Sequence, residues 1–281
     1  MPAASHAWLA VMGSVAALLA PALRAEEQRP LWEFGFGVGT LAFNDYRGAS
    51  TSHVYPAPVP YFIYRGKFLR ADRDGVHGRF FDRRYLEFDF SINATAPVFS
   101  QNSVIRKGMP NLEPTLELGP ALRWHLWRAS GDALHLDLQL PLREAITVTS
   151  PPQAIGLIFA PNFNLDYRGH GALTGWDLGA LAGPIYAQQR YHEYFYGVAP
   201  AFATPTRPAY EASGGYSGSE LLLAASRRFA NYWVGAYIRH DWLAGAVFSD
   251  SPLVQQRSYW AGGVGFVWMI RASSRMVDSH D

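Results

Sequence analysis

Leucine occupies every second position from Leu134 to Leu142, and His135, Asp137, Gln139, Pro141 and Arg143 fill the places between and after. A strand sends successive side chains to opposite faces, so this segment has one leucine face and one polar face; a helix would scatter the leucines around its circumference. The same period of two runs through much of the chain. Leu116, Leu118, Leu122, Trp124 and Leu126 alternate with Glu117, Gly119, Arg123 and His125. Leu86, Phe88, Phe90 and Ile92 oppose Glu87, Asp89, Ser91 and Asn93. Trp32, Phe34, Phe36 and Val38 oppose Glu33, Gly35, Gly37 and Gly39. Phe159, Phe163, Leu165 and Tyr167 form a similar face, and Trp260, Val264, Phe266, Trp268 and Ile270 close the series.

Alternation alone suits a soluble sandwich too, whose strands average about five or six residues. Several stretches here approach or exceed the roughly 9–11 residues of a tilted membrane strand. The polar face is rich in Gly and Ser with few charges, as a crowded lumen requires. Trp32, Trp124, Tyr167, Trp260 and Trp268 fall near strand ends, as interfacial girdles do. Composition agrees: charged residues are 17% against 49% hydrophobic and 15% aromatic, while a mean hydropathy of −0.07 is too polar for a bundle of membrane helices. The expected fold is therefore all-β, a closed antiparallel transmembrane β-barrel of about twelve strands, with ten as the neighbouring even count. A large soluble β-barrel or sandwich is the competing architecture.

Turns are read at Ala129–Asp132 and Arg228–Asn231, and longer connections at 44–53, 101–111, 168–174, 191–219 and 249–258. The apolar run Trp8–Leu23 reads as a signal peptide over residues 1–25, cleaved after Ala22 or Ala25, although only His6 stands where a Lys or Arg is usual. It is shorter than the roughly 20 residues of a span, so an uncleaved anchor is the lesser reading. Residues 26–281 read as one barrel domain in the outer membrane, with Arg271–Asp281 as a polar tail. Lys and Arg number 24 against 23 Asp and Glu, and losing Arg24 with the leader balances them, which argues against a nucleic-acid partner. Outer-membrane lipid is the expected surrounding. The absence of cysteine removes disulfides, thiolate metal sites and Cys nucleophiles.

The residues with chemical potential are Glu117, Arg123, His125, His135, Asp137 and Arg143, all on polar faces of adjacent strands. They read as a structural lumen network of mutually satisfied charges, since buried charges demand partners. His135 and Asp137 share a face, but no G-x-S-x-G elbow supplies a serine; Gly214–Gly218 merely brings Ser217 between glycines, read as a loop. His192-Glu193, in a stretch read as an aromatic loop, lacks a second histidine at ligand spacing, and Arg239-His240-Asp241 reads as a charged strand end at the membrane boundary. Gly35–Gly39 lacks the Lys and helix of a phosphate loop. No enzyme activity, cofactor or metal is expected.

Five short motifs follow one another along the chain: Asn44–Ser50 (NDYRGAS), Val54–Tyr64 with Pro56, Pro58 and Pro60, Leu116–Leu122 (LELGPAL), Tyr194–Val198 (YFYGV) and Asp250–Val254 (DSPLV). Each also has a local reading. Gly48 is free to take positive φ. The three prolines mark an edge, an extended loop or a strand start, and Gly119-Pro120 marks an interruption of pairing such as a bulge. Their order and spacing from about Trp32 to Ile270 resemble the MltA-interacting protein family, MipA/OmpV, of Gram-negative outer membranes. The resemblance implies a barrel without catalytic chemistry. It further implies a scaffold role between a lytic murein transglycosylase and a penicillin-binding murein synthase. A small-solute outer-membrane channel is the alternative function.

Overall fold

The computed structural model describes residues 28–65, 69–72, 75–78, 86–129 and 133–278; the leader lies outside them. The strands are β1 (Gln28–Pro30), β2 (Trp32–Asn44), β3 (Ser52–Arg65), β4 (Leu69–Asp72), β5 (Gly75–Gly78), β6 (Leu86–Thr95), β7 (Thr115–Arg128) and β8 (Leu134–Thr147). They continue with β9 (Ala154–Phe159), β10 (Asn162–Arg168), β11 (Trp176–Ala187), β12 (Gly215–Arg228), β13 (Tyr232–Trp242), β14 (Ser258–Ala272) and β15 (Met276–Asp278). One helix, α1 (Gln189–Tyr196), precedes β12.

Antiparallel pairing runs from each strand to the next, from β2 through β8. It then passes from β8 to β10 and on through β14. β14 pairs with β2, so the circuit returns to its start. β9 shares both neighbours of β10, β8 and β11, and is the other half of one wall strand broken at Ala160-Pro161. The circuit thus has twelve members, the higher of the two even counts expected.

Side chains are sorted across this wall in the reverse of a water-soluble protein. The apolar members of the alternation face out: Phe36, Val38, Phe88, Phe163, Leu223 and Val264 are all exposed. The acidic members face in: Glu33, Asp89, Glu117, Asp137, Asp177 and Asp241 are buried. A continuous outer belt of Phe, Leu, Val and Trp would aggregate in water, and it is the surface that hydrocarbon requires. The soluble sandwich fails on this inversion. Aromatic rings mark both ends of the belt. His240, Trp242 and Trp260 pack together near the long loops, with centroids 4.2 and 4.1 Å apart. Near the turns Tyr232 stacks on Phe266, which meets Trp268 edge to face, and Arg227 lies over Trp176.

The interior is not uniformly polar. Leu41, Val59, Tyr61, Ile63, Trp233 and Val267 form a buried apolar cluster inside the β2–β3 and β13–β14 sector. Room for it comes from glycines on the inner face. A Cβ at Gly37 would stand 1.8 Å from the Phe266 carbonyl oxygen, so β2 and β14 close only because this position is bare.

Several local expectations change. Pro56, Pro58 and Pro60 lie inside β3, paired opposite Thr40, Val38 and Phe36. The β7–β8 ladder skips Gly119-Pro120 without a register shift; the bulge falls instead between His125 and Trp127, and turns both Leu126 and Trp127 outward. The connection at 168–174 belongs to the turn end, because β10 runs away from the long loops. Of the tail, Arg271 and Ala272 extend β14, and β15 pairs with β1 beyond the wall. Residues 191–196 are helical, and Tyr216–Gly218 belong to β12 rather than a loop.

Outward placement of Val38 gives a direct check. Val38→Arg should lower unfolding stability in lipid vesicles by about 2–4 kcal/mol, read by denaturant titration; a cost near zero would mean that this face meets water.

Candidate functional site

Inner faces of β6, β7 and β8 carry a ladder of opposed charges. Arg143 Nε donates to Glu117 Oε2 at 3.1 Å, and Asn93 donates to the same oxygen at 3.0 Å. Arg143 also reaches Ser91 Oγ at 3.2 Å. Further toward the turns, Arg123 pairs with Asp89 at 3.1 Å. His125 Nδ1 meets Asp137 Oδ1 at 2.9 Å, and its Nε2 faces Glu87 at 3.7 Å. With both ring nitrogens turned to carboxylates, His125 is held rather than presented to a hydroxyl nucleophile. His135 lies opposite Arg128 and Asp166 in the strand register, and Asp137, which shares its face, is engaged by His125.

The long loops fold inward over this lumen and pack into a second buried core. It contains Tyr46, Val98, Leu112, Phe195, Tyr196, Phe248 and Leu253, drawn from four connections. Tyr196 stacks on Phe248 with centroids 3.7 Å apart and planes 6° from parallel. Hydrogen bonds sew the loops together: Tyr46 OH donates to the Leu253 carbonyl at 2.8 Å, Tyr196 OH to the Arg47 carbonyl at 2.9 Å, and Ser251 Oγ to the Tyr196 carbonyl at 2.7 Å. Gly48 adopts φ +97° and lies close to Leu243 and Val254, a position where a side chain would be strained. Three of the five sequence motifs, far apart in the chain, therefore supply one structure.

Two contacts bolt this cap to the wall. Tyr191 on α1 donates to Glu117 Oε1 at 3.1 Å, extending the charge ladder upward into the loops. Arg47 drives its guanidinium into the lumen, where Nε pairs with Asp241 and the other nitrogens reach Ser217 Oγ and carbonyl at 3.1 and 2.7 Å. Asp241 is fully buried and is also held by Arg239 at 2.7 Å, which in turn reaches Glu220 at 3.0 Å. This cluster corrects the reading of Arg239-His240-Asp241 as a boundary charge: the two charged residues face in, and only His240 faces the membrane girdle. The signal was present, because residues two apart share a face of a strand.

Burial sets the protonation of the cap. It raises the Tyr46, Tyr191 and Tyr196 phenols, which stay neutral donors. His192, enclosed beside Phe248 at 4.8 Å, is pushed down by burial, against a partly opposing hydrogen bond from Nδ1 to the Ser213 carbonyl at 2.7 Å. A histidine whose folded pKa is depressed contributes stability above its unfolded value of about 6.5 and loses it as pH falls below that. Protection factors of residues 189–197 in hydrogen exchange, each taken against the intrinsic rate at that pH, should fall between pH 7.5 and 5, and His192→Phe should flatten the dependence. Asp241→Ala leaves two arginines beside an empty position and should cost about 3–5 kcal/mol in thermal melts of the folded barrel.

Comparison with known proteins then places the chain. The family described as MltA-interacting protein MipA matches residues 36–270. Outer membrane protein Omp26La of Vibrio anguillarum is 26% identical over 214 residues, covering 72% of this chain and 74% of that protein. Outer membrane protein OmpV of Vibrio cholerae serotype O1 shows the same identity and coverage. Among solved structures, an outer membrane channel from Pseudomonas putida F1 is 10% identical with a TM-score of 0.46, over 89% of this chain and 98% of that one. That likeness is too distant to carry the fold, which rests on the strand circuit. With a match across most of its length and relatives named as outer-membrane proteins, the chain belongs to the MltA-interacting protein MipA family and is an outer-membrane protein.

Proposed function

We propose that this protein is a non-enzymatic outer-membrane scaffold, which joins murein-hydrolysing and murein-synthesising enzymes at the cell envelope. Residues 1–25 would be removed on export, and residues 26–281 would form the single barrel domain. The observation that carries the reading is the cap, bolted to the wall through Tyr191–Glu117 and Arg47–Asp241. A lumen closed at its loop end by packed aromatic side chains, and crossed by paired charges, is built for rigidity rather than for solute flow. The lumen pairs Glu117–Arg143, His125–Asp137 and Arg123–Asp89 act as internal struts. Long loops of such barrels are extracellular and short turns periplasmic. By that rule the β1–β15 ribbon is on the murein side. The family description, MltA-interacting protein, supports a lytic murein transglycosylase as one partner; a penicillin-binding murein synthase is the second.

Purified protein should retain both enzyme classes in pull-downs and should pass no steady current in planar bilayers. Failure to retain either enzyme, together with stable open-channel currents, would establish the small-solute channel instead.

A further inference from the structure

One patch of the outer wall is hollow. Ala180 on β11 lies between outward Leu165 and Leu223 in the strand register. One step toward the turns, Ala225 on β12 lies between Leu178 and Ala236. Residues directly opposite one another share a face of the sheet. The three alanines therefore floor an outward groove of about 600 Å³, walled by the larger side chains. It lies within the apolar belt, where the surrounding medium is hydrocarbon.

At the turn end of this groove stands a cation. Arg227 is the next outward residue of β12 after Ala225, about 7 Å nearer the turns. Its guanidinium lies over the rings of Trp176 and Phe229, 5.8 and 5.0 Å from their centroids, with Gly175 beside it. Ring contacts use the faces of a guanidinium and leave its N–H edge free. Among the described residues Arg227 forms no hydrogen bond or ion pair. The lumen arginines Arg123, Arg143 and Arg239, by contrast, each face a carboxylate. The outward positions of β10 to β13 carry no Asp or Glu that could serve Arg227. A fixed cation with unused donors at the girdle, joined to a hydrocarbon-lined groove, has the polarity that complements a phospholipid.

We propose that the groove and Arg227 form a binding site for one anionic phospholipid, which lays an acyl chain over Ala225 and Ala236 and sets its phosphate on the guanidinium edge. The planar fork of an arginine matches phosphate oxygens two at a time. An anionic head is favoured over a zwitterionic one because no acidic side chain on this face receives an ammonium. Arg227 lies at the turn end, so the lipid belongs to the periplasmic leaflet. The site is on the outside of the wall and does not depend on the murein partners.

Native mass spectrometry of the detergent-folded barrel, titrated with phosphatidylglycerol or phosphatidylcholine, tests this. The first phosphatidylglycerol should bind about tenfold more tightly than the first phosphatidylcholine, the return of one charge-assisted contact. Arg227→Gln should abolish that preference. Arg271→Gln, at an exposed position near the turns on β14 opposite Phe34, should preserve it. Ala225→Phe fills the groove and should weaken both lipids several-fold. Glycerol phosphate, a head without chains, should not displace phosphatidylglycerol at matched concentration. Equal affinity for the two lipids would overturn the proposal, as would undiminished binding to Ala225→Phe. An equal loss in Arg227→Gln and Arg271→Gln would mean diffuse attraction, and displacement by glycerol phosphate a bare phosphate site; either overturns it. So would a lipid-free dimer abolished by Ala225→Phe, which would assign the groove to a second copy of the chain. Folding is checked by heat-modifiable gel migration, and Ala236→Phe replaces Ala225→Phe should that variant fail to fold.

Discussion

In a bilayer no water is available to pair with backbone amides and carbonyls, so every strand that crosses must find neighbours on both sides. The rest of this structure follows from that demand. It forces β14 back onto β2, and it makes glycine necessary at Gly37, where any Cβ would strike the Phe266 carbonyl and hold the two strands apart.

Closing the circuit creates a second problem, since twelve strands enclose more volume than a single row of side chains can fill. The chain solves it differently in two places. Beside β2, β3, β13 and β14 it uses apolar side chains, with Trp233 buried against Tyr61 and Val59. Beside β6, β7 and β8 it uses charge pairs, each carboxylate facing an arginine or histidine. Above both, the loops contribute an aromatic core of the kind a soluble protein would have. The cap and the barrel are mechanically one body, because Arg47 and Tyr191 reach down from the loops to Asp241 and Glu117 on the wall. Breaking a buried pair of this kind leaves an uncompensated charge, which is why these contacts hold the cap more firmly than surface pairs would.

Much of the wall was legible in the sequence. Leu134–Leu142 and Leu86–Ile92 announced strands with one lipid face, because a period of two has no other physical meaning over that length. Glu117, Arg123, His125, Asp137 and Arg143 were legible as interior residues by the same parity. Parity failed where geometry departs from the ideal strand: at the bulge after His125, which turns Leu126 and Trp127 to the same side, and at α1, whose eight residues are too few to show a helical period. It was also silent on Asp241, whose partner Arg47 is 194 residues away in a loop.

Sequence by itself determined the class of the protein, the direction in which most wall side chains point and the medium they face, because these depend only on neighbours along the chain. The motifs Asn44–Ser50, Tyr194–Val198 and Asp250–Val254 were visible, but as isolated fragments. Only the tertiary structure decided that they meet. Tyr46 reaches Leu253, Tyr196 reaches Arg47 and Tyr191 reaches Glu117 through loops whose path no local periodicity encodes.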